Sequence, residues 1–470
     1  MKIRSRLTAV VLVLCMLLFV CYQGISTGKK GGNTSEENSG NHTLEAGGRK
    51  TTLYVWYTDE ALTDYMNSCA LSFMEQNAEI RVVPTLVSAV EYLENINDAS
   101  MRGEAAPDVY LVTNDCLEKA YMAGLATPIT DPESLVTEEV FPDTALKAVS
   151  CDGQRIAYPF YYETSLFLYN RTYLDTMAAT KAEALKAQSE AQSGEGDSTN
   201  AQTEEGQTQE EPIPTGADDL IPATMDDILS LADAYDAPEG VEAILKWDVS
   251  DIFYNYFFAG NYLNVGGEAG DDASVVDIYN TQSVACMQLY QSLNQFFSIE
   301  AKESSYDQVL QEFMEGKTLF TVATTDAIAK LEQAKSDGTI QWEYGIATLP
   351  DVSSELKSRG LSVTNTAVIN GYSQQKEQAN AFASYLTCHA DSTLYERAGK
   401  LASAKNVSYS NPKLRFAMAA YEKSASLPKI MEASNFWVQL EVAYTGIWQG
   451  EDADTVMKNL DEQIRGQLAE

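Results

Sequence analysis

Short apolar runs of strand length alternate with stretches of helical periodicity along this chain, and that alternation restricts its fold more than any other feature. Leu53-Tyr54-Val55-Trp56-Tyr57 is a continuous apolar run that reads as a strand buried on both faces. Leu62, Tyr65, Cys69 and Phe73 follow at helical spacing, and Ile80-Arg81-Val82-Val83 then reads as the next strand of a βαβ opening. Asp108-Val109-Tyr110-Leu111-Val112 is another strand, followed by a helix that Gly124 ends. Thr224-x-x-Asp227 can cap a helix carrying Ile228 and Leu231. Ser305-x-x-Gln308 opens a helix with Val309, Leu310 and Phe313 inward, closed by Gly316 before the strand Leu319-Phe320-Thr321-Val322. Helices over 379–387 and 415–421 follow, and the last repeats Val456, Leu460, Ile464 and Leu468 at i,i+4 spacing. Strands interleaved with helices in this way make an α/β sheet.

The N-terminus is of another kind. Met1-Lys2-Ile3-Arg4-Ser5-Arg6 is basic, and Leu7 to Tyr22 is an uncharged apolar run of 16 residues. That is the pattern of an export signal, too short for the roughly 20 residues of a membrane-spanning helix. Leu18-Phe19-Val20-Cys21 places a leucine three before a cysteine, as bacterial lipoprotein signals do, so Cys21 is the favoured lipidation site. Val20 is larger than the residue usual there, which leaves cleavage after Ser26 and an uncleaved anchor as alternatives. Residues 1–26 are thus read as signal and anchor. Residues 22–50, rich in Gly, Ser, Asn, Thr and Glu, are read as a flexible tether.

Charge and cysteine usage exclude several functions. Sixty-eight acidic residues against 32 basic ones give a formal charge of −36, which repels phosphate backbones, so nucleic acid is not an expected partner. Beyond the signal, Cys69, Cys116, Cys151, Cys286 and Cys388 form an odd, widely spaced set, unlike a disulfide framework. No C-x-x-C spacing occurs and the chain has only two histidines, His42 and His389, so neither structural zinc nor any cofactor is expected. Residues 178–222 hold ten acidic residues against Lys181 and Lys186 and no aromatic. That composition reads as a disordered, low-complexity insertion after a short helical start.

Several segments, taken in order, resemble the family-1 extracellular solute-binding proteins. They are Ala106-Pro107-Asp108-Val109 to Gly124-Leu125, Ile156-Ala157-Tyr158-Pro159 through Glu163 to Leu168-Tyr169-Asn170, and Phe313 to Val322. Tyr344-Gly345-Ile346 to Leu349-Pro350 and Asn435-Phe436-Trp437 complete the series. The resemblance implies a two-lobed, type II periplasmic-binding fold with three hinge crossovers, near Tyr162, Asn365 and Ser410. The N-lobe would comprise 51–162 plus 366–409, and the C-lobe 163–365 plus 410–470 with the insertion inside it. It further implies a monomer that captures solute, most simply an oligosaccharide, between its lobes and hands it to the membrane subunits of an ABC permease. The chain would work outside the cell membrane, tethered by its lipid.

A sugar presents vicinal hydroxyls and a patch of C–H bonds, so its receptor needs acceptors beside aromatic faces. Matched to the family, Asp115 and Glu163 resemble carboxylates that accept sugar hydroxyls, and Trp437 a stacking tryptophan. An N-cap role for Asp115 and a core role for Trp437 are the alternatives. Trp56, Tyr57, Thr58 and Asp59 follow the first strand, where α/β sheets present residues to their crevice. Tyr162, Asn261, Asp326 and Asn365 complete the candidates by position. Val112 and Cys116 stand where maltose-binding members carry an aromatic and an arginine, and Asp326 where a stacking aromatic is expected. The ligand alternatives are a polyamine or other cation, which acids and aromatics also suit, and a sensing role toward a membrane kinase. No G-x-S-x-G, P-loop or H-E-x-x-H motif occurs, and a glycosidase role for Asp115 and Glu163 is disfavoured.

Overall fold

In the computed structural model, residues 50–103, 105–194, 213–234, 236–297, 299–300, 304–430 and 435–469 are described. The signal, Cys21 and all of the tether but Lys50 lie outside them. The expected alternation appears from the start. Strand β1 (Thr51–Tyr57) leads into helix α1 (Thr63–Gln76), β2 (Ile80–Leu86), α2 (Tyr92–Arg102), β3 (Val109–Thr113) and α3 (Leu117–Met122). Leu53, Val55 and Tyr57 are buried while Tyr54 and Trp56 are only partly so, which makes β1 a strand with one fully covered face. Gly124 takes φ +70° after α3, a left-handed conformation that a side chain would strain. Helix α4 (Asp143–Ala148) and a small hairpin, β4 (Ser150–Cys151) with β5 (Gln154–Arg155), precede the longest strand, β6 (Tyr158–Asn170).

The remaining elements build outward from β6. They are α5 (Arg171–Gly194), α6 (Met225–Ala234), β7 (Ala243–Leu245), α7 (Ile252–Asn255), the hairpin β8 (Asn264–Gly266) and β9 (Asp272–Asp277), and α8 (Thr281–Phe297). After them come α9 (Tyr306–Met314), β10 (Thr318–Thr324), α10 (Asp326–Ser336), β11 (Tyr344–Ala347) and β12 (Leu361–Ile369). The last are α11 (Lys376–Cys388), α12 (Ser392–Ala398), β13 (Leu401–Ala402), α13 (Leu414–Lys423), β14 (Ala425–Ser426), α14 (Phe436–Trp448) and α15 (Ala453–Leu468). The Thr224-Asp227 box forms as read: Asp227 N–H donates to Thr224 Oγ1 and Thr224 N–H to Asp227 Oδ2.

The strands form one ten-stranded mixed sheet in the order β2-β1-β3-β12-β6-β10-β7, with β11 and β13 on β6 and β14 on β12. Residues Tyr158 to Thr164 of β6 pair with β12, and Ser165 to Asn170 pair with β10 and β11. One strand therefore passes from one half of the sheet into the other. Every residue of β6 is buried except Glu163. β1 and β3 are parallel, and β10 and β7 are parallel. β10 runs against β6 with Thr324 opposite Ser165, which brings the carboxyl end of β10 to the junction. The first half of β6 ends there too, and β1 and β3 end on the same side. Open α/β sheets present their functional groups at such a reversal.

The segment expected to be disordered is ordered at both ends. Helix α5 runs unbroken for 24 residues to Gly194. Ala217 is fully buried, its N–H donates to Asp175 Oδ1 at 2.7 Å, and Asp218 takes a bidentate pair from Arg171 at 2.9 and 3.1 Å. Alanine, leucine and glutamine favour helix strongly enough to extend α5 where low hydrophobicity had suggested coil. Residues 195–212 lie outside the described set.

The two halves also touch through the turn before β9. Lys147 Nζ pairs with Glu268 at 3.1 Å, and Asp152 N–H donates to Asp271 Oδ2 at 3.0 Å. Lys429, 1% exposed, closes this seam by donating from Nζ to the carbonyls of Lys147, at 2.8 Å, and Ala269. Burial pulls its ammonium down to about 8, against the charges of Asp271 and Glu118. The cysteines Cys69, Cys116, Cys151, Cys286 and Cys388 are unpaired, and burial raises each thiol above its ordinary value.

Candidate functional site

Two depressions open at the junction of the sheet halves. The first, about 360 Å³, is lined by Thr58, Asp59, Tyr92, Val112, Tyr161 and Asn365 among others. The second, about 530 Å³, is lined by Glu163, Asp251, Tyr254, Tyr306, Asp326, Lys400 and Trp437 together with apolar neighbours. They meet at one side chain. Lys400 Nζ lies 2.9 Å from Asp59 Oδ2, which lines the first depression, and 2.9 Å from Glu163 Oε1, which lines the second.

The local sequence explains how Lys400 arrives there. Gly399 ends α12 at φ +66°, and the two-residue strand β13 then pairs Leu401 with Tyr162 and Ala402 with Tyr161. Continuing that antiparallel register sets Lys400 opposite Glu163. The ammonium also lies 5.4 Å from the centre of the Tyr161 ring. Its side chain is 17% exposed. Burial lowers its pKa, but the charge of Glu163 and the hydrogen bonds the ammonium makes to Asp59 and Glu163 outweigh that, and the net shift is upward. Asp59 has divided duties: Oδ1 accepts from Ala61 N–H at 3.0 Å to start a short 3-10 turn, leaving Oδ2 for the lysine.

The wall formed after β7 and β10 is aromatic and acidic. Tyr254 and Tyr306 stack with centroids 4.7 Å apart and planes 14° from parallel. Asp326 accepts from Tyr306 Oη at 2.6 Å and from Thr324 Oγ1, and pairs with Lys330 at 2.9 Å. Burial raises the Asp326 pKa, but Lys330 and the two hydroxyls overcome that and hold the carboxyl below its usual range. Asp251 caps α7 by accepting from Phe253 N–H at 2.8 Å, while burial and then the charge of Asp248 push its carboxyl up. Trp437, in the first turn of α14, is half-buried, with Phe436 at 5.1 Å and Tyr256 at 5.9 Å between ring centres.

Of the residues singled out in the sequence, the structure brings Thr58, Asp59, Glu163, Asp326, Asn365 and Trp437 to the two joined depressions. Others fall elsewhere. Tyr57 is 2% exposed and donates to Thr63 Oγ1, on the core face of β1. Tyr162 is 1% exposed and stacks on Tyr421 with centroids 4.0 Å apart, because the alternation of β6 turns it away from Glu163. Trp56 lines a separate hollow with Asn95, Asp98 and Arg102 against α2. Asn261 lines another beside the β8–β9 turn. Asp115 neither lines the joined depressions nor caps a helix, since the caps there are Thr113 and Cys116. Its Oδ1 is buried without a hydrogen-bond partner among the described residues.

Tyr254, Tyr306 and Lys400 were not found from sequence. Tyr254 sits in the aromatic run Phe253 to Phe258, and the acid that displaced an expected aromatic, Asp326, is the partner of the aromatic that lies there instead, Tyr306.

A mixed sheet in two halves, with a polar and aromatic cleft where they join, defines a two-lobed solute-binding fold. Solved structures carry the same fold. A cyclo/maltodextrin-binding protein complexed with maltotetraose is 19% identical, with a TM-score of 0.66, over 89% of this chain and 97% of its own. The extracellular solute-binding protein from Staphylococcus aureus in complex with maltose gives 19% identity and a TM-score of 0.67, over 89% and 98%. The maltose-binding periplasmic protein from Listeria monocytogenes, also with maltose, gives 19% and 0.66 over the same shares. No curated protein sequence matches the chain. The family model of the bacterial extracellular solute-binding proteins matches residues 54–390, and the chain belongs to that family. It is accordingly an exported binding protein.

Proposed function

We propose that this chain is the receptor subunit of an ABC importer, that it captures a neutral carbohydrate in the joined cleft, and that closure of the lobes presents the loaded form to a permease. The observation that carries the reading is the second depression, where Trp437, Tyr254 and Tyr306 stand beside Glu163, Asp251 and Asp326. Aromatic faces take the C–H patch of a pyranose, and carboxylates accept its hydroxyls. The solved neighbours hold maltose or maltotetraose, which supports the same class of ligand without fixing the sugar.

A receptor rather than a hydrolase is supported by where the pair weighed for hydrolysis lies: Asp115 does not line the joined depressions, so it does not face Glu163 across a bond held there. Lipidation at Cys21 and a monomeric working state complete the proposal, so the protein would act tethered at the outer face of the cell membrane.

A thermal-shift panel of maltotetraose, cellotetraose, xylotetraose, putrescine and spermidine tests this reading. Binding at 100 times the dissociation constant adds about 2.7 kcal/mol of stability, which such a panel detects readily. Stabilisation by at least one sugar is expected, with compaction in small-angle scattering. Stabilisation by the polyamines alone would overturn it in favour of a cation receptor.

A further inference from the structure

We infer that Lys400 is the specificity-determining residue of the cleft, a built-in cation that fills the position a cationic ligand would take and so restricts the receptor to neutral polyhydroxylated solutes. The inference rests on the carbohydrate reading above and deepens it.

Without Lys400, Asp59 and Glu163 would face one another across the meeting point of the two depressions. With no cation between them, two carboxylates so placed, near the Tyr161 ring, form a site for an ammonium group. The protein fills that site from its own chain. Lys400 reaches both carboxylates at 2.9 Å and lies over Tyr161, so the groups that would attract a polyamine nitrogen at this meeting point are already engaged. A free amine could take that point only by displacing a tethered one.

The same arrangement suits a diol. An ammonium has three N–H donors, of which Asp59 and Glu163 take two. The third donor and the remaining lone pairs of Glu163 then stand side by side, one giving and the other accepting. Adjacent sugar hydroxyls need that pairing, because one can accept while its neighbour donates. On the second wall Asp326 is neutralised in the same manner by Lys330 at 2.9 Å. Glu163 and Asp326 thus keep their acceptor oxygens while losing much of their pull on cations, which leaves Asp251 as the carboxylate of the second depression without an ion pair among the described residues.

The test uses the full chain and two variants, Lys400→Met and Lys400→Gln, titrated with maltotetraose, cellotetraose, xylotetraose and spermidine by calorimetry. The wild-type protein is expected to bind one of the sugars and to ignore spermidine. Lys400→Met should weaken that sugar at least tenfold and acquire spermidine binding that weakens as salt rises, and Glu163→Gln added to it should abolish the new affinity. If Lys400→Gln and Lys400→Met both hold the sugar within twofold, or both ignore spermidine while folded by circular dichroism, the inference is wrong. Wild-type protein that binds spermidine and none of the sugars would instead remove the carbohydrate reading beneath it.

Discussion

Two lysines join the halves of this molecule, and they are held in opposite ways. At the cleft, Lys400 sits between two carboxylates that are themselves about one-third exposed, and its proton is held more tightly than an ordinary lysine's. At the seam beside the β8–β9 turn, Lys429 is nearly sealed from solvent and hydrogen-bonds carbonyl oxygens, and its pKa falls to about 8. Partial dipoles do not replace the hydration that a buried ammonium loses, whereas full charges do. The cleft lysine therefore tunes recognition and adds a little stability. The seam lysine is a structural tie whose charge the fold must bear.

The sharpest way to break this contrast is to reverse the charge at the seam. Lys429→Glu would bury a carboxylate against two carbonyls and near Asp271, and should cost about 3 to 5 kcal/mol, the range for an uncompensated buried charge. A urea midpoint close to wild type would show that the seam opens to water. The cleft should respond in binding instead. Trp437→Ala removes the half-buried stacking face and should weaken whichever panel sugar binds by about 2 to 4 kcal/mol, as for a central aromatic anchor. Unchanged calorimetric affinity would assign Trp437 to the core.

The pH dependence separates the two lysines without disturbing packing. Because the folded value for Lys429 lies below that of an unfolded lysine, the penalty for burying its charge is fully present below about pH 8 and is relieved as pH rises from there toward 10.5. Wild type should gain on Lys429→Met across that window, by at most about 1.4 kcal/mol per pH unit. For Lys400 the sign is reversed. Its raised value means that its stabilisation is fully present below the ordinary lysine pKa and is lost only above it, so the difference between wild type and Lys400→Met should stay flat from pH 7 to 10. Urea melts at pH 7.5, 8.5 and 9.5 read both slopes. The smallest effect expected is that of Lys400→Met on stability at neutral pH, about 1 kcal/mol, since solvent reaches both of its partners.

How far the sequence could be read follows the same line between local and distant causes. Strands such as β3 and helices such as α15 are written in runs and spacings within a few residues, and the Thr224-Asp227 box forms as its motif implies. Glu163 was legible because it is the lone acid in a long apolar run, and a strand buried along its length exposes a carboxylate only for a reason. Lys400 carries no such mark. It meets Glu163 from 237 positions away through the register of a two-residue strand, which no local pattern specifies. Tyr57 and Tyr162 failed for a related reason: neighbours along a strand face opposite sides, so lying beside a site residue in sequence points a side chain away from it.

The five unpaired thiols among the described residues carry a consequence for where this protein can be made. Each is held protonated by its surroundings, so none is poised for exchange, and folding waits on neither an oxidant nor an isomerase. The folded body should form equally well in a reducing cytosol and in an oxygenated medium. An organism that lives without oxygen could secrete such a receptor with no oxidative folding machinery at all.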